Sequence, residues 1–165
     1  MKIVPDAIVI LVFEGPDKGG KGASIKEVNK QSDYAFLCID RFTGSAWVYD
    51  RLSRRRNREA RIAALEAELA SLKSAIVVNI LVTGSPELLR RRIIAEDESA
   101  KKRLAELDIA LRLYKKYSRI VTRLPTIIVD TSAKMPVQSA AHIIRKVSQY
   151  VKTHCQRHQQ SKIED

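Results

Sequence analysis

The sequence offers little for stacking or cross-linking. Aromatic residues make up 5% of the 165 residues, Trp47 is the one tryptophan, and there are two cysteines, Cys38 and Cys155. Two distant cysteines make no disulfide framework. Cys38 lies in an apolar run and is expected to be a core thiol in a reducing cytosol. No apolar stretch approaches the ~18 residues that a membrane-spanning helix needs. The start, Met1-Lys-Ile-Val-Pro-Asp6, breaks with Pro and Asp and does not read as a signal peptide. A cytoplasmic protein with no membrane part is therefore expected. Acidic residues are also short, at 19 against 30 basic, for a net charge of +11. Glycine is scarce, but four of the six (Gly15, Gly19, Gly20, Gly22) crowd into one short segment.

The remaining composition, 45% hydrophobic and 30% charged, is that of an ordinary globular domain. One domain is expected over residues 1–152, followed by a polar tail over 153–165. The positive charge attracts polyanions: nucleotides, polyphosphate or nucleic acid. It is partly clustered. Arg51 to Arg61 holds six arginines, and Arg90-Arg91-Arg92 and Lys101-Lys102-Arg103 form two further groups. Each cluster reads equally well as a solvated helix face.

The glycine-rich segment carries the chemistry. Phe13 to Ile25 reads F-E-G-P-D-K-G-G-K-G-A-S-I. Gly15, Gly20 and Lys21 fit the phosphate-binding pattern G-x-x-x-x-G-K. Gly22 stands where that pattern has a Ser or Thr whose hydroxyl holds Mg²⁺. Ala7 to Phe13 precedes it, apolar and β-branched like a strand buried on both faces, and a helix-compatible stretch follows from Ala23 to Lys30. Between strand and helix, the backbone of Gly15, Pro16, Asp17, Lys18, Gly19, Gly20, Lys21, Gly22 and Ala23 would form an anion cradle for ATP. Lys21 would reach its β- and γ-phosphates.

Strand and helix signals alternate along the chain, implying a parallel sheet covered on both faces. The expected fold is α/β: a three-layer P-loop NTPase fold with a short, mostly parallel sheet of about four strands. Further strands are expected at 34–39, 76–82 and 126–129. One long helix is expected from about Gly44 to Ser74, with Ile62, Leu65, Leu69 and Leu72 on one face. Ser85-Pro86 makes a helix start. Another helix runs to about Thr122, and a last one covers 137–152. Asp40 ends the second strand beside the phosphate crevice and is a candidate Mg²⁺ ligand. Arg41 next to it has the planar fork that suits phosphate oxygens.

Phe13-Glu-Gly-Pro-Asp-Lys-Gly-Gly-Lys21 and Asp40-Arg-Phe-Thr-Gly-Ser45 with Tyr49 resemble motifs of the thymidylate kinases. Pro86-Glu-Leu-Leu with Arg92-Ile, Leu113 to Tyr117 and Ile127 to Asp130 extend the resemblance over most of the chain. It implies transfer of the ATP γ-phosphoryl to a (deoxy)nucleoside monophosphate, with Mg²⁺. Lys21, Lys18, Asp40 and Arg41 then become the catalytic candidates. Asp17, Arg41, Phe42, Ser45 and Tyr49 would bind the acceptor, and Arg92, Lys101, Lys102 and Arg103 would form the lid. Three features depart from the family: Gly22, the short segment before Asp40, and Glu96 in place of a lid arginine. The loop through Gly22-Ala-Ser-Ile25-Lys26 also resembles the second family of polyphosphate kinases, which implies Asp17 and Asp40 as metal ligands. By analogy with such relatives a homodimer is a candidate assembly.

Two other acceptor readings follow: a kinase acting on a polyanion such as nucleic acid or polyphosphate, or a nucleotide-binding protein without turnover. Trp47 and Tyr49, with the arginines at 51–61, offer a nucleic-acid surface, or Trp47 simply packs the core. His154, Cys155 and His158 have metal-ligand spacing in a polar tail, and His142 reads as a helix-surface residue.

Overall fold

A computed structural model describes residues 7–54, 58–95 and 100–161, the last five of them by backbone alone. In chain order the elements are β1 (Ile8–Glu14), α1 (Lys21–Gln31), β2 (Leu37–Asp40), α2 (Thr43–Leu52), α3 (Glu59–Ser71), β3 (Ala75–Thr83), α4 (Pro86–Ile94), α5 (Lys101–Lys116), a π turn over Tyr117–Val121, β4 (Thr126–Asp130) and α6 (Pro136–Ser161). The four strands form one sheet in the order β2-β1-β3-β4, and every pairing is parallel. Phe13 pairs with Asp40 on one side and with Ile80 on the other.

The apolar runs explain the layers. Val9, Leu11 and Phe13 of β1 and Val78, Ile80 and Val82 of β3 pack on Val28 of α1 and on Ile143, Val147 and Val151 of α6. The alternate residues Val12 and Val77 face the other way, against Leu124 and Leu69. Side chains alternate across a strand with period two, so a strand apolar at every position has both faces covered. Ser85 caps α4, its hydroxyl accepting from the Leu88 amide at 3.2 Å.

Two expected helices differ. The long helix over 44–74 is two, α2 and α3. Their junction is clasped by charge: Arg58 forks onto Asp50 at 2.7 and 2.8 Å, and Arg51 reaches Glu59 at 2.8 Å. Part of the arginine cluster is thus consumed locally; Arg55 and Arg56 lie outside the described residues. The expected stripe is only half right, since Ile62 is buried while Leu65 and Leu72 are exposed. Glu66 takes a place in that face instead, 1% exposed, and accepts from the Tyr117 and Thr122 hydroxyls and the Arg123 amide. The last helix continues past residue 152 to Ser161.

Candidate phosphate-binding site

The chain leaves β1 between β2 and β3, the point where consecutive strands diverge to opposite sides and a crevice opens at their carboxyl ends. The glycine-rich loop fills it. Gly15 sits at φ 135°, and a Cβ there would lie 2.0 Å from the Val82 carbonyl oxygen. At Gly19 the same oxygen would be 2.9 Å away. The loop therefore rests directly on the end of β3, and no side chain fits between them. Gly20 at φ 94° turns the loop into α1, whose N-terminus has no side-chain cap. The first amides of α1 are left for an anion.

Lys21 is buried beneath the loop. Its Nζ donates to the carbonyls of Gly15 at 3.0 Å and Pro16 at 2.8 Å. Burial, then the Arg41 charge, push its ammonium down to about 8; Asp40, Asp17 and Glu14 pull it back up. Gly22 is exposed, and a Cβ there would meet nothing within 4 Å.

Arg41 stands on one flank at φ 66°, its amide bonded to the Phe13 carbonyl at 2.9 Å. Its Nη2 is paired with the Asp17 carboxylate. Its Nη1 lies 3.0 Å from the Tyr49 hydroxyl, 3.4 Å from that of Tyr114 and 3.4 Å from the Gly15 carbonyl. The Tyr114 hydroxyl is 3.0 Å from Ser45 Oγ, which donates to Glu14. Glu14 also accepts from the amides of Phe42 (2.8 Å), Gly44 (2.9 Å) and Ser45 (2.8 Å). It therefore caps α2 from another element, satisfying donors that α2 cannot satisfy itself. Burial raises the Glu14 carboxyl, and these hydrogen bonds offset part of the rise.

Ser45, expected at the acceptor, is 4% exposed with its hydroxyl engaged by Glu14, and it supports the Arg41 anchor from beneath. Phe42 is exposed, and Tyr49 is half-buried. Glu14, Gly44 and Tyr114 went unread as site residues. A lone acid closing an apolar strand was the signal for Glu14. Trp47 is 1% exposed, with Arg51 stacked 3.5 Å from its ring centroid, so it packs the core and offers no face to a base.

On the opposite flank Arg92 reaches over the loop, its Nη1 3.1 Å from the Lys18 carbonyl and 3.4 Å from Thr131 Oγ1. Thr131 Oγ1 also lies 3.1 Å from the Gly19 carbonyl. A cavity of about 410 Å³ opens here, lined by Gly20, Ala23, Ser24, Arg92, Thr131 and Ser139 among others. On the Arg41 flank a second space of about 30 Å³ lies among Asp17, Tyr49, Ile93, Arg103 and Leu107. Of the expected lid residues, Arg92 and Arg103 line these spaces, whereas Lys101 and Lys102 are exposed at the start of α5. Glu96 lies outside the described residues.

Among the described residues no three acidic, histidine or cysteine side chains gather as a metal cluster. His154 stacks on Tyr150 and Cys155 packs on the core; the His158 side chain lies outside the description. A triphosphate-bound Mg²⁺ needs less, since it is held by one or two carboxylates with phosphates and water. Asp40, exposed at the end of β2 and close enough to act on Lys21, fits that requirement. Asp17 is turned to Arg41.

No protein-family model matches the sequence, and no curated protein matches it. Among solved structures the chain is similar to the YorR protein from Bacillus subtilis, crystallised in complex with phosphorylated GDP. The TM-score is 0.64 at 20% identity, over 88% of this chain and 98% of that one. The fold is that of the P-loop kinases. Polyphosphate kinase 2 from Arthrobacter aurescens TC1 shares this P-loop kinase fold with a TM-score of 0.57 at 16% identity over 85% of the chain, which spans 65% of that protein's length. Within the P-loop kinase fold, loop, Lys21, Arg41 and Arg92 all meet at the strand ends.

Proposed function

We propose that the chain is an ATP-dependent phosphotransferase of the thymidylate-kinase type, moving the ATP γ-phosphoryl to a nucleotide. The observation that carries this is the arrangement around one loop: a base-sized cavity on the Arg92 flank and a guanidinium, Arg41, on the other. Donor and acceptor phosphates would then meet over Gly20 and Lys21. Phosphoryl transfer asks for alignment and charge neutralisation more than for covalent chemistry. The loop amides and Lys21 hold the β- and γ-phosphates, Lys18 and Arg92 lie over the transferring group, and Arg41 holds the acceptor's phosphate. Mg²⁺, held by Asp40 and the phosphates, would neutralise the charge that develops on the bridging oxygens. Arg103 closes the acceptor side, which excludes water and protects ATP from hydrolysis.

A second reading, a polyanionic acceptor, rests on a different observation. The space on the Arg41 flank is about 30 Å³, far narrower than the cavity of about 410 Å³ on the Arg92 flank. A narrow chain end, such as the end of a polyphosphate, enters such a slot without burying a base. The net charge of +11 favours the same reading. That one neighbour of this fold is a polyphosphate kinase and another was crystallised with a phosphorylated nucleotide supports both readings. Incubation with γ-labelled ATP and Mg²⁺ separates them. Label on one or a few nucleoside monophosphates supports the first, and label on polyphosphate, DNA or RNA supports the second. In either case Lys21→Ala abolishes transfer. No transfer to any acceptor, with ATP still bound, leaves a nucleotide-binding protein without turnover.

A further inference from the structure

Three cations around the loop rest on oxygens of the loop itself. Lys21 holds the carbonyls of Gly15 and Pro16, Arg92 holds that of Lys18, and Arg41 holds the Asp17 carboxylate. The Asp17–Arg41 pair differs from the others because it matches one full charge with another. Both side chains are about one-third exposed, 35% for Asp17 and 30% for Arg41. Exposed pairs of this kind are weak, because water competes for both partners.

The two edges of the Arg41 guanidinium are not equivalent. Nη1 is anchored, and its anchor has a consistent direction: Nη1 donates to the Tyr114 hydroxyl, that hydroxyl to Ser45 Oγ, and Ser45 to Glu14. Glu14 in turn is fixed by three amides at the start of α2. Nη2 has only Asp17. One edge is therefore set by a buried relay, and the other is held by a carboxylate that an incoming anion can replace.

We propose that the Nη2 edge of Arg41 is an anion-exchange site, which Asp17 occupies in the resting protein and which an acceptor phosphate takes by displacing Asp17. This deepens the phosphotransferase reading and rests on it for the acceptor's role. The exchange is unaided by any change of fold. A phosphate offers two oxygens and up to two negative charges to the same fork, which a single carboxylate oxygen does not match. The displaced Asp17 remains at the mouth of the acceptor slot, beside Tyr49, where its carboxylate is free to accept from the acceptor. Tyr114 is then a positioning residue, acting through Arg41.

The test is a titration of inorganic phosphate into the full chain, followed by calorimetry, with a non-hydrolysable ATP analogue and Mg²⁺ filling the loop. Asp17→Asn removes the competing charge and is expected to tighten phosphate binding about 2–5-fold, the worth of a partly exposed pair. With Arg41→Gln in the background, the same Asp17→Asn change is expected to have no effect. Tyr114→Phe is expected to weaken phosphate binding without altering analogue binding, a split that a general loss of structure does not produce. Unchanged or weaker binding in Asp17→Asn overturns the exchange, as does a gain that survives Arg41→Gln. Should Asp17→Asn fail to fold, the wild-type protein decides alone: the Asp17 carboxylate ¹³C signal shifts as phosphate is added, and a signal that does not move refutes the proposal. Failure of the analogue to bind would instead count against the ATP reading, and the phosphate titration would still decide the exchange.

Discussion

At the scale of single residues, burial gives Lys21 a pH dependence. Its pKa in the folded protein, about 8, lies below the ordinary 10.5. The ammonium is therefore charged below about pH 8 and lost above it, and ATP affinity is expected to fall as pH rises through about 8. Lys21→Arg keeps its charge there, so its affinity, whatever its absolute value, is expected to show no such fall; fluorescence titration across pH 6–10 checks both. For stability the sign is opposite. The folded chain gives up this proton before the unfolded chain does, so the cost of a buried ammonium is relieved between about 8 and 10.5. Gly22 gives a second prediction. Space for a side chain is open there, and Ser is a better helix residue than Gly by about 0.5 kcal/mol. Gly22→Ser is expected to raise the unfolding midpoint and to lower the Mg²⁺ concentration needed for half-maximal turnover.

At the scale of elements, α2 depends on a residue outside it. Glu14 takes the amides of Phe42, Gly44 and Ser45 together with the Ser45 hydroxyl. Glu14→Gln leaves buried donors facing an amide group, and hydrogen bonds to a charged partner are worth about 1.5–3 kcal/mol. A loss of about 2–3 kcal/mol in denaturant unfolding is expected. Phosphate binding at Arg41 is expected to weaken as well, because the same carboxylate anchors Arg41. The cap also marks where sequence reading ends. The phosphate loop was legible because its glycines answer a local backbone demand. Glu14 was not, because its partners lie about thirty residues away, and Ser45 meets Tyr114 across 69. The break between α2 and α3 was hidden for a similar reason. No glycine or proline punctuates residues 53–58, and the ion pairs that stabilise the turn look like a run of surface charge. Glu66, polar in sequence and buried in the fold, follows from a π turn that periodicity does not forecast.

At the scale of the molecule, the sheet order could be expected only in part. Apolar strands alternating with helices announced a parallel sheet, but not which strand lies at the edge. β1 and β3 are buried along most of their length, whereas β2 has four residues and lies at the edge. Hydrogen exchange is expected to be slowest for amides of β1 and β3 and markedly faster for β2; equal protection of all strands would contradict this placement. In the proposed reading, the donor and acceptor sides of the loop follow from this order, since β3 stands on one side of β1 and β2 on the other.

The contact of Gly15 and Gly19 with the Val82 carbonyl has a consequence for how the protein can be divided. The loop belongs to the first half of the chain and its floor to the second. A cut in the turn between α3 and β3, at residues 72–74, would put the two on separate fragments. Neither fragment alone would own a complete cradle. A triphosphate that fills the cradle would then act as the bond between the fragments, and their reassembly would report on the nucleotide.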